Sequence, residues 1–221
     1  MSTAKRLILF DLDGTIIDQR VTILNCLNQV LKEYGVSYTL EELTPLIGTP
    51  LKDVIKRKLK SESLAQTLRE RYKEIYVKNY LKNTKIYKGI LKLCKELKSK
   101  GIKLGIITSK YGSIARRFLV DLGISELFDI VVGEGDAELK PSSAPVLYAC
   151  KALNVEPKKC IVIGDTVNDI KCGKKANCIT VAVLWGYGKK EKLMKVKPHY
   201  VASSWKELRK IVQNIFSKNK I

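Results

Sequence analysis

Short apolar runs recur along the chain and alternate with segments of helical periodicity. Apolar residues spaced three or four apart predict helices over 90–100, 114–123, 144–154 and 169–176. Continuous apolar runs predict buried strands, and they read LILF (7–10), KLGIIT (103–108), FDIVVG (128–133), CIVIGD (160–165) and TVAVLW (180–185). Buried strands that alternate with helices indicate a parallel sheet covered on both faces. The pattern therefore predicts an α/β fold built on a doubly wound parallel sheet.

The alternation stops between Thr15 and about Tyr87, where only helical patterns occur. Roughly seventy residues are too many for an ordinary connection between two strands. The segment is therefore predicted to be an inserted α-helical cap domain, from which the chain returns to the sheet. The predicted organisation is a Rossmann-like core made of residues 1–17 and 86–221, and a helical cap made of residues 18–85.

The composition is that of a soluble globular protein, with 45% apolar and 29% charged residues. No apolar run approaches the ~18 residues of a membrane-spanning helix, and the first apolar run is too short for a signal peptide. We therefore expect a cytoplasmic protein that does not associate with membranes. The net charge of +19 fits either a nucleic-acid surface or a generally cationic surface that attracts small anions. Scattered lysines without interleaved aromatic residues favour the second interpretation.

Cysteine and histidine usage narrows the possible chemistry. None of the six cysteines forms a CxxC pair, and most lie in apolar periodic segments, so buried thiols are expected rather than a zinc site. The single histidine, His199, lies near the C-terminus beside a short strand and is predicted to be structural. A Ser-His-Asp triad or a His-rich metal site would need a well-placed histidine. Acid–base chemistry is therefore expected to fall to carboxylates.

Polar residues follow the predicted strands at the points where they end. Because the carboxyl ends of parallel strands share one edge of the sheet, these residues are expected to converge. They are Asp11 and Asp13 after the first strand, Thr108 and Ser109 after the second, Lys140 in the segment ELKPSSAP, and Asp165 and Asp169 in GDTVND.

A carboxylate cluster without histidine suits a hard cation such as Mg²⁺, which in turn suits phosphate chemistry. Gly14 allows a close backbone approach, and exposed N–H groups there could hold a phosphoryl oxygen. Lys140 could neutralise charge during transfer of a phosphoryl group. Asp11 and Asp13 point to the same side of an extended segment, so one can attack while the other handles a proton.

Taken in order, DLDGTIID, ITS, Lys140-Pro141 and GDTVND resemble the four motifs of the haloacid dehalogenase superfamily. The subgroup is similar to phosphoglycolate phosphatases and β-phosphoglucomutases, and the match spans about residues 7–186. The resemblance implies that Asp11 is the nucleophile and forms an aspartyl-phosphate. It also implies that Asp13 is the general acid and then the general base, with its backbone carbonyl on Mg²⁺.

The same resemblance implies roles for the remaining motif residues. Thr108 would bond the phosphoryl group together with the backbone at Ser109, and Lys140 would bridge Asp11 and the phosphate. Asp165 would ligate Mg²⁺ with Asp11, and Asp169 would lie in or near the metal shell. Three further segments carry weaker expectations: Lys110 is expected to contact phosphate or substrate, Thr49 lies either in a substrate loop or at a helix start, and Trp185 to Gly188 is expected to form a packing turn behind the site.

The implied function is that of a Mg²⁺-dependent phosphatase acting on a small phosphorylated metabolite, with phosphoglycolate as the model substrate. A sugar phosphomutase and an inorganic pyrophosphatase remain alternatives, because both can use the same intermediate. A receiver-like phosphate-binding module is the non-enzyme alternative, although receiver domains are shorter and lack a cap. The expected partner is the metabolite, without specific nucleic acid, and the choice between monomer and homodimer stays open.

Overall fold

The structure is a computed structural model that describes residues 6–44 and 63–217. The chain divides into two compact units. The first unit comprises Met1–Asp18 and Ile86–Ile221, and the second comprises Gln19–Lys85. The organisation predicted from the sequence has its first boundary between residues 17 and 18 and its second between residues 85 and 86.

The first unit is built on a six-stranded sheet with the order β5-β4-β1-β6-β7-β8, in which all neighbouring strands are parallel. This confirms the predicted doubly wound parallel sheet. The strands in chain order are β1 (Leu7–Phe10), β2 (Ile17–Asp18), β3 (Lys85–Ile86), β4 (Lys103–Tyr111), β5 (Ile130–Glu134), β6 (Cys160–Gly164), β7 (Ile179–Val183) and β8 (Tyr200–Ala202). Of these, β2 and β3 are short strands that flank the second unit in sequence.

The helices of the first unit cover both faces of the sheet, as expected for strands that are apolar along their whole length. The described helices of both units, numbered in chain order, are α1 (Arg20–Lys32), α2 (Leu40–Leu43), α3 (Ser63–Asn79), α4 (Ile90–Ser99), α5 (Gly112–Asp121), α6 (Ala144–Leu153), α7 (Val167–Lys175), α8 (Lys190–Lys195) and α9 (Trp205–Ser217). Those from α4 onward belong to the first unit. The sequence reading assigned no element beyond Trp185 apart from a short strand near His199. It therefore missed α9, although Leu208, Val212 and Ile215 lie at helical spacing and are buried.

The central strands explain why polar groups meet at one edge. All residues of β1 are 0% exposed, and β1 lies between β4 and β6. In register, Phe10 lies beside Ile106 on β4 and beside Ile163 on β6. The residues that follow these three positions therefore emerge together at the carboxyl edge of the sheet.

The thiols lie in the interior, as predicted. All six cysteines are free and buried. Four of them belong to one apolar cluster beneath the sheet, namely Cys150, Cys160, Cys172 and Cys178. They act there as small hydrophobic side chains.

The second unit is helical over its described residues, which contain α1, α2 and α3. Tyr72 and Tyr76 on α3 stack with ring centroids 5.6 Å apart, and Tyr76 donates a hydrogen bond of 2.5 Å to Gln19. Arg71 on α3 binds Glu33 through two nitrogens at 2.9–3.1 Å. The tyrosine stripe thus packs the unit rather than forming an exposed stacking surface. No helix in residues 6–44 or 63–217 is long and apolar enough to cross a membrane.

Candidate active site

Asp11 lies directly after β1, where its strand meets β6. Its backbone N–H donates to the carbonyl of Ile163 at 2.8 Å, which fixes the backbone at the sheet edge. The residue is 6% exposed, and its Oδ1 accepts a hydrogen bond of 2.6 Å from Lys140 Nζ. Burial raises the pKa of Asp11, and the neighbouring carboxylates add to this although Lys140 opposes it.

Lys140 is the buried cation of the site. Its Nζ donates to Asp11 Oδ1 and Asp169 Oδ1, each at 2.6 Å, and to the carbonyl of Ile107 at 3.1 Å. Burial disfavours a charged lysine, but the two carboxylates raise the pKa of Lys140, so it stays protonated. Because an ammonium has three N–H groups, this arrangement uses all of them. The predicted contact between Lys140 and a phosphate would require one of these bonds to open.

Asp165 follows β6 and is fully buried. Its Oδ1 accepts from Thr15 Oγ1 at 3.1 Å, and its Oδ2 accepts from the backbone N–H of Tyr187 at 2.7 Å. Burial, together with the Asp169 carboxylate, raises the pKa of Asp165 to about 7. Two glycines make room for this side chain, because a Cβ on Gly14 or Gly186 would lie 2.4 or 2.3 Å from Asp165 Oδ2.

Asp169 has two roles in the structure. Its Oδ2 accepts from the backbone N–H of Thr166 at 2.9 Å and from Thr166 Oγ1 at 2.6 Å. Thr166 Oγ1 in turn accepts from the backbone N–H of Asp169 at 3.4 Å, so the two residues form a capping box at the start of α7. Its Oδ1 binds Lys140. The helix cap thus holds the side chain in place and leaves it oriented toward the site.

Three carboxylates form a group suited to a metal ion. Asp11, Asp165 and Asp169, here called the carboxylate cluster, each offer an oxygen within 4.8 Å of the others, and all three are buried. Oxygen ligands of this kind suit a hard divalent cation. Close by in sequence, Asp13 Oδ1 is buried without a hydrogen-bond partner. Crowded carboxylates and an orphaned oxygen are both explained by a cation, so the residues present fit a divalent metal.

The end of β4 brings the next group to the edge. The pairing of β4 with β5 shifts register between Ile107 and Tyr111, so the segment that carries Thr108, Ser109 and Lys110 is irregular. Such irregularities re-aim side chains next to functional sites. Thr108 is 4% exposed, and its Oγ1 accepts from the backbone N–H of Lys110 at 3.2 Å. Neither Thr108 nor Ser109 caps α5, whose N-cap is Tyr111.

Asp13 lies one residue beyond Leu12 and contacts the end of β4. Its Oδ2 accepts from Lys110 Nζ at 2.6 Å, and both side chains are largely buried, at 16% and 12% exposure. The next residue, Gly14, has a φ of +87°, which a residue with a side chain adopts only with strain. The tight turn at Gly14 therefore allows Asp13 to contact Lys110 while Thr15 contacts Asp165.

The sequence reading missed part of the site. The segment 185–188 was expected to be a packing turn, but Tyr187 N–H holds Asp165 directly, and Trp185 Nε1 donates to the carbonyl of Thr15 at 3.2 Å. The glycines on both sides of Tyr187 were the available signal for a close approach. Thr49, a predicted substrate contact, lies outside the described residues. His199 is bound to Thr180, whose backbone N–H donates to His199 Nδ1 at 3.1 Å, in a structural role.

A family model described as haloacid dehalogenase-like hydrolase matches residues 8–183. The chain belongs to this family. It is 38% identical to a phosphoglycolate phosphatase of Aquifex aeolicus over 95% of this chain and 97% of that protein. It is 29% identical to pyrophosphatase PpaX of Oceanobacillus iheyensis over 96% of this chain and 99% of that protein.

The fold agrees with solved structures of the family. A crystal structure of a predicted phosphatase from Clostridium acetobutylicum matches with a TM-score of 0.89 and 26% identity, covering 96% of this chain and all of that one. These comparisons confirm the resemblance drawn from DLDGTIID, ITS, Lys140-Pro141 and GDTVND. They identify the chain as a phosphatase of the haloacid dehalogenase-like family.

Proposed function

We propose that this protein is a Mg²⁺-dependent phosphatase that hydrolyses a small phosphorylated metabolite through an aspartyl-phosphate on Asp11. One observation supports the proposal most directly: Lys140 Nζ donates hydrogen bonds of 2.6 Å to both Asp11 and Asp169. Around this centre lie a further buried carboxylate, Asp165, and a second acid, Asp13. Such a set suits phosphoryl transfer through a carboxylate with the help of a metal ion.

In the first step, a carboxylate oxygen of Asp11 attacks phosphorus, and the bond from phosphorus to the leaving oxygen breaks. Asp13 gives its proton to that oxygen, so the leaving group departs as an alcohol or a hydroxy acid. Thr108 and the backbone at Ser109 hold the phosphoryl oxygens. Lys140 keeps the attacking carboxylate oriented, since its ammonium fixes Asp11 Oδ1.

In the second step, Asp13 takes a proton from water, and the water oxygen attacks phosphorus. The bond between phosphorus and Asp11 breaks, which releases inorganic phosphate and restores both carboxyl groups to their starting states. Asp11 and Asp165 with Asp169 nearby would hold Mg²⁺, together with the backbone carbonyl of Asp13. Bound there, the metal supplies positive charge that offsets the carboxylates and the phosphoryl oxygens.

The names of two relatives suggest two candidate substrates, both of which are small phosphate compounds. The name of the Aquifex aeolicus protein points to phosphoglycolate, and that of the Oceanobacillus iheyensis protein points to pyrophosphate. Phosphoglycolate is the leading candidate because the identity to the Aquifex aeolicus phosphatase is higher, at 38%. Pyrophosphate is the second candidate, and it would be cleaved by the same two steps.

The proposal is tested by measuring phosphate release from phosphoglycolate, pyrophosphate and a panel of sugar phosphates, with Mg²⁺ and with EDTA. We expect turnover that depends on the metal and that is absent in Asp11→Asn. The ranking within the panel then identifies the substrate class.

Other outcomes would reject parts of the proposal. Isomerised sugar phosphate without free phosphate would indicate a phosphomutase. A stable phosphoryl group on Asp11, formed from a small phosphodonor without turnover, would indicate a receiver-like module. Full activity in Asp11→Asn would exclude Asp11 as the nucleophile.

A further inference from the structure

Three buried thiols lie together at the amino ends of two neighbouring strands, away from the proposed phosphatase chemistry. Cys150 lies on α6, Cys160 is the first residue of β6, and Cys178 directly precedes β7. Ile161 of β6 pairs with Ile179 of β7, so Cys160 and Cys178 are neighbours on adjacent chain segments. The three residues, here called the thiol cluster, belong to one apolar cluster and are 0–3% exposed.

The side chains of the thiol cluster contact one another. Cys150 accepts hydrogen bonds from the thiols of Cys160 and Cys178, and these hold the pKa of Cys150 well below its usual range, although burial opposes them. Cys94 on α4 is a buried thiol without this support, and burial raises its pKa to about 12. Because the thiolate is the reactive form of cysteine, the contacts favour reaction at the thiol cluster over reaction at Cys94.

Cys178 connects the thiol cluster to solvent. It is one of the residues that line a cleft of about 290 Å³, together with Lys174, Asn177, Ile179 and His199. Lys174, Asn177 and His199 are exposed, whereas Cys178 is 3% exposed, so the thiol lies on the inner side of the cleft. A water molecule occupies about 30 Å³ in the liquid. The cleft is therefore large enough for a small reagent to reach Cys178 without unfolding of the protein.

We propose that Cys150 and Cys178 form a redox modification site, at which a small hydroperoxide converts the two thiols into a disulfide. A thiol with a lowered pKa beside a second thiol within reach of solvent is the arrangement expected of a cysteine pair that responds to oxidants. The inference is independent of the proposed phosphatase function, because the thiol cluster lies at the amino ends of β6 and β7, whereas Asp165 follows the carboxyl end of β6.

The reaction has two steps. In the first, the sulfur of Cys178 attacks one oxygen of the hydroperoxide, the O–O bond breaks, and the thiol proton of Cys178 passes to Cys150. The departing oxygen takes a proton from solvent and leaves as water or an alcohol, and Cys178 becomes a sulfenic acid. In the second, the sulfur of Cys150 attacks that of Cys178, the S–O bond breaks, and the hydroxide leaves with the Cys150 proton as water. The two sulfurs thus lose two electrons, which reduce the peroxide.

Cys160 is the competing partner of Cys178. Burial raises the pKa of Cys160, which disfavours its thiolate. A disulfide also requires a dihedral angle of about 90° around its S–S bond. Two residues side by side in paired strands have less freedom to reach that angle than a strand residue and a residue on a helix. Both arguments favour Cys150 as the partner.

The disulfide would enclose residues 151–177, a segment that contains β6, α7 and the carboxylates of Asp165 and Asp169. A cross-link over a loop of this length restricts the unfolded chain. Oxidation should therefore stabilise the folded protein, and reduction should reverse the effect.

The experiment treats the reduced, folded protein with hydrogen peroxide and then blocks the remaining thiols with N-ethylmaleimide in urea. Trypsin separates the cysteines of the thiol cluster, because lysines lie between them in the sequence, at 151, 158, 159, 171, 174 and 175. We expect the free thiols to fall from six to four, with mass spectrometry showing a cross-link between the peptides of Cys150 and Cys178. The Cys178 thiol should be lost at least about 10-fold faster than that of Cys94.

Matched variants test the pairing and the effect on stability. Cys150→Ala and Cys178→Ala should each abolish the disulfide, whereas Cys160→Ala and Cys94→Ala should retain it. Peroxide should raise the midpoint of urea unfolding of wild type, dithiothreitol should reverse the rise, and Cys178→Ala should show no rise. Cys178→Val replaces Cys178→Ala if the latter does not fold.

Three results would overturn the inference. The first is a disulfide that joins Cys178 to Cys160, and the second is oxidation of single cysteines without any cross-link. The third is a rate of thiol loss that does not depend on the peroxide concentration, since the thiols would then react only after the protein unfolds. Each of these leaves the proposed phosphatase function intact, because that function is tested separately by phosphate release.

Discussion

The two edges of the sheet in the first unit surround their carboxylates in opposite ways. At the carboxyl edge, Lys140 is the cation in contact with the carboxylate cluster among residues 6–44 and 63–217. At the amino edge, one carboxylate, Asp129, binds Lys98 at 2.9 Å, Lys103 at 3.0 Å and the backbone N–H of Leu104 at 2.9 Å. At the carboxyl edge, the acidic side chains of the cluster outnumber the lysine that binds them. At the amino edge, three hydrogen-bond donors surround one acidic side chain.

The pKa values follow this difference. Burial raises the pKa of Asp165 to about 7. Burial acts in the same direction on Asp129, but the Leu104 N–H and the two lysines outweigh it and lower its pKa. A carboxylate that is surrounded by hydrogen-bond donors and cations stabilises the fold. A carboxylate that lies beside other carboxylates lowers the free energy of unfolding as long as no cation is bound. The excess of carboxylates at the carboxyl edge fits the proposed binding of a cation, whereas the donors around Asp129 at the amino edge favour stability.

The largest expected effect is that of Asp11→Asn at the carboxyl edge. Because Asp11 is the proposed nucleophile, its replacement should reduce kcat by at least about 10³-fold. The free energy of unfolding in EDTA should change by no more than about 1 kcal/mol, because Lys140 keeps Asp169 as its partner and a like charge is removed. Phosphate release and urea unfolding test the two parts. A large loss of stability would show that this edge is structural after all.

Asp165→Asn should give the next largest effect. The amide can still accept from Tyr187 N–H, but it offers a weaker ligand, so the Mg²⁺ concentration for half-maximal activity should rise by about 10- to 100-fold. In EDTA the variant should be more stable than wild type by about 1 kcal/mol, since a buried charge is removed. Mg²⁺ titration and urea unfolding measure both. Unchanged metal dependence would remove Asp165 from the ligand set.

Gly186→Ala should act on the same edge without touching any charge. A Cβ there would meet Asp165 at 2.3–2.4 Å, so the carboxylate or the turn must move. We expect the Mg²⁺ requirement to rise by about 10-fold, in line with losses seen when the support of a metal ligand is disturbed. Gly35→Ala is a control for added bulk, because no atom lies within 4 Å of a Cβ there, although its φ of +73° is itself strained. An unaltered Mg²⁺ titration would show that the turn yields without moving Asp165.

Asp129→Ala should have the smallest effect on turnover and a clear effect on stability. It removes the acceptor of the Leu104 N–H and the partner of two lysines, which should cost about 1–3 kcal/mol at pH 7. The kcat and KM values should stay within about twofold of wild type, because this edge is at the opposite end of the strands from the carboxylate cluster. Urea unfolding and steady-state kinetics measure the two quantities.

The pH dependence sharpens the same contrast. Because the pKa of Asp129 is lower in the folded protein than its ordinary value of 3.8, the unfolded chain binds the proton first as pH falls. The stabilisation by Asp129 is therefore fully present well above pH 4 and is lost as the pH drops through the folded value. The stability difference between wild type and Asp129→Ala should shrink below about pH 4. A difference that grows on acidification would contradict the assignment.

Much of the site could be predicted because its residues follow strands that are easy to recognise. LILF and CIVIG are apolar throughout, so Asp11 and Asp165 stand out as polar residues at the ends of buried strands. The order of those strands in the sheet then brings the two together. Here a local pattern and a general rule of parallel sheets were sufficient.

The remaining contacts of the site join residues that are far apart in the sequence, so a local sequence pattern does not reveal them. The bond from Tyr187 N–H to Asp165 joins residues 22 apart, and the bond from Thr15 joins residues 150 apart. Lys140 was predicted to bridge Asp11 and a phosphate, but the sequence did not indicate that its ammonium would also bind Asp169 and the carbonyl of Ile107. Both features depend on how loops pack, which side-chain type and spacing leave undetermined.

The three bonds of Lys140 also have a consequence for the order of folding. One nitrogen joins partners that are 129, 33 and 29 residues away in sequence. Contacts of such long range form slowly, because the intervening chain must first be ordered. We infer that the reactive centre is among the last parts of the molecule to assemble. During refolding, catalytic activity should therefore return after the helical circular dichroism signal, and simultaneous recovery of the two would show that the centre forms together with the sheet.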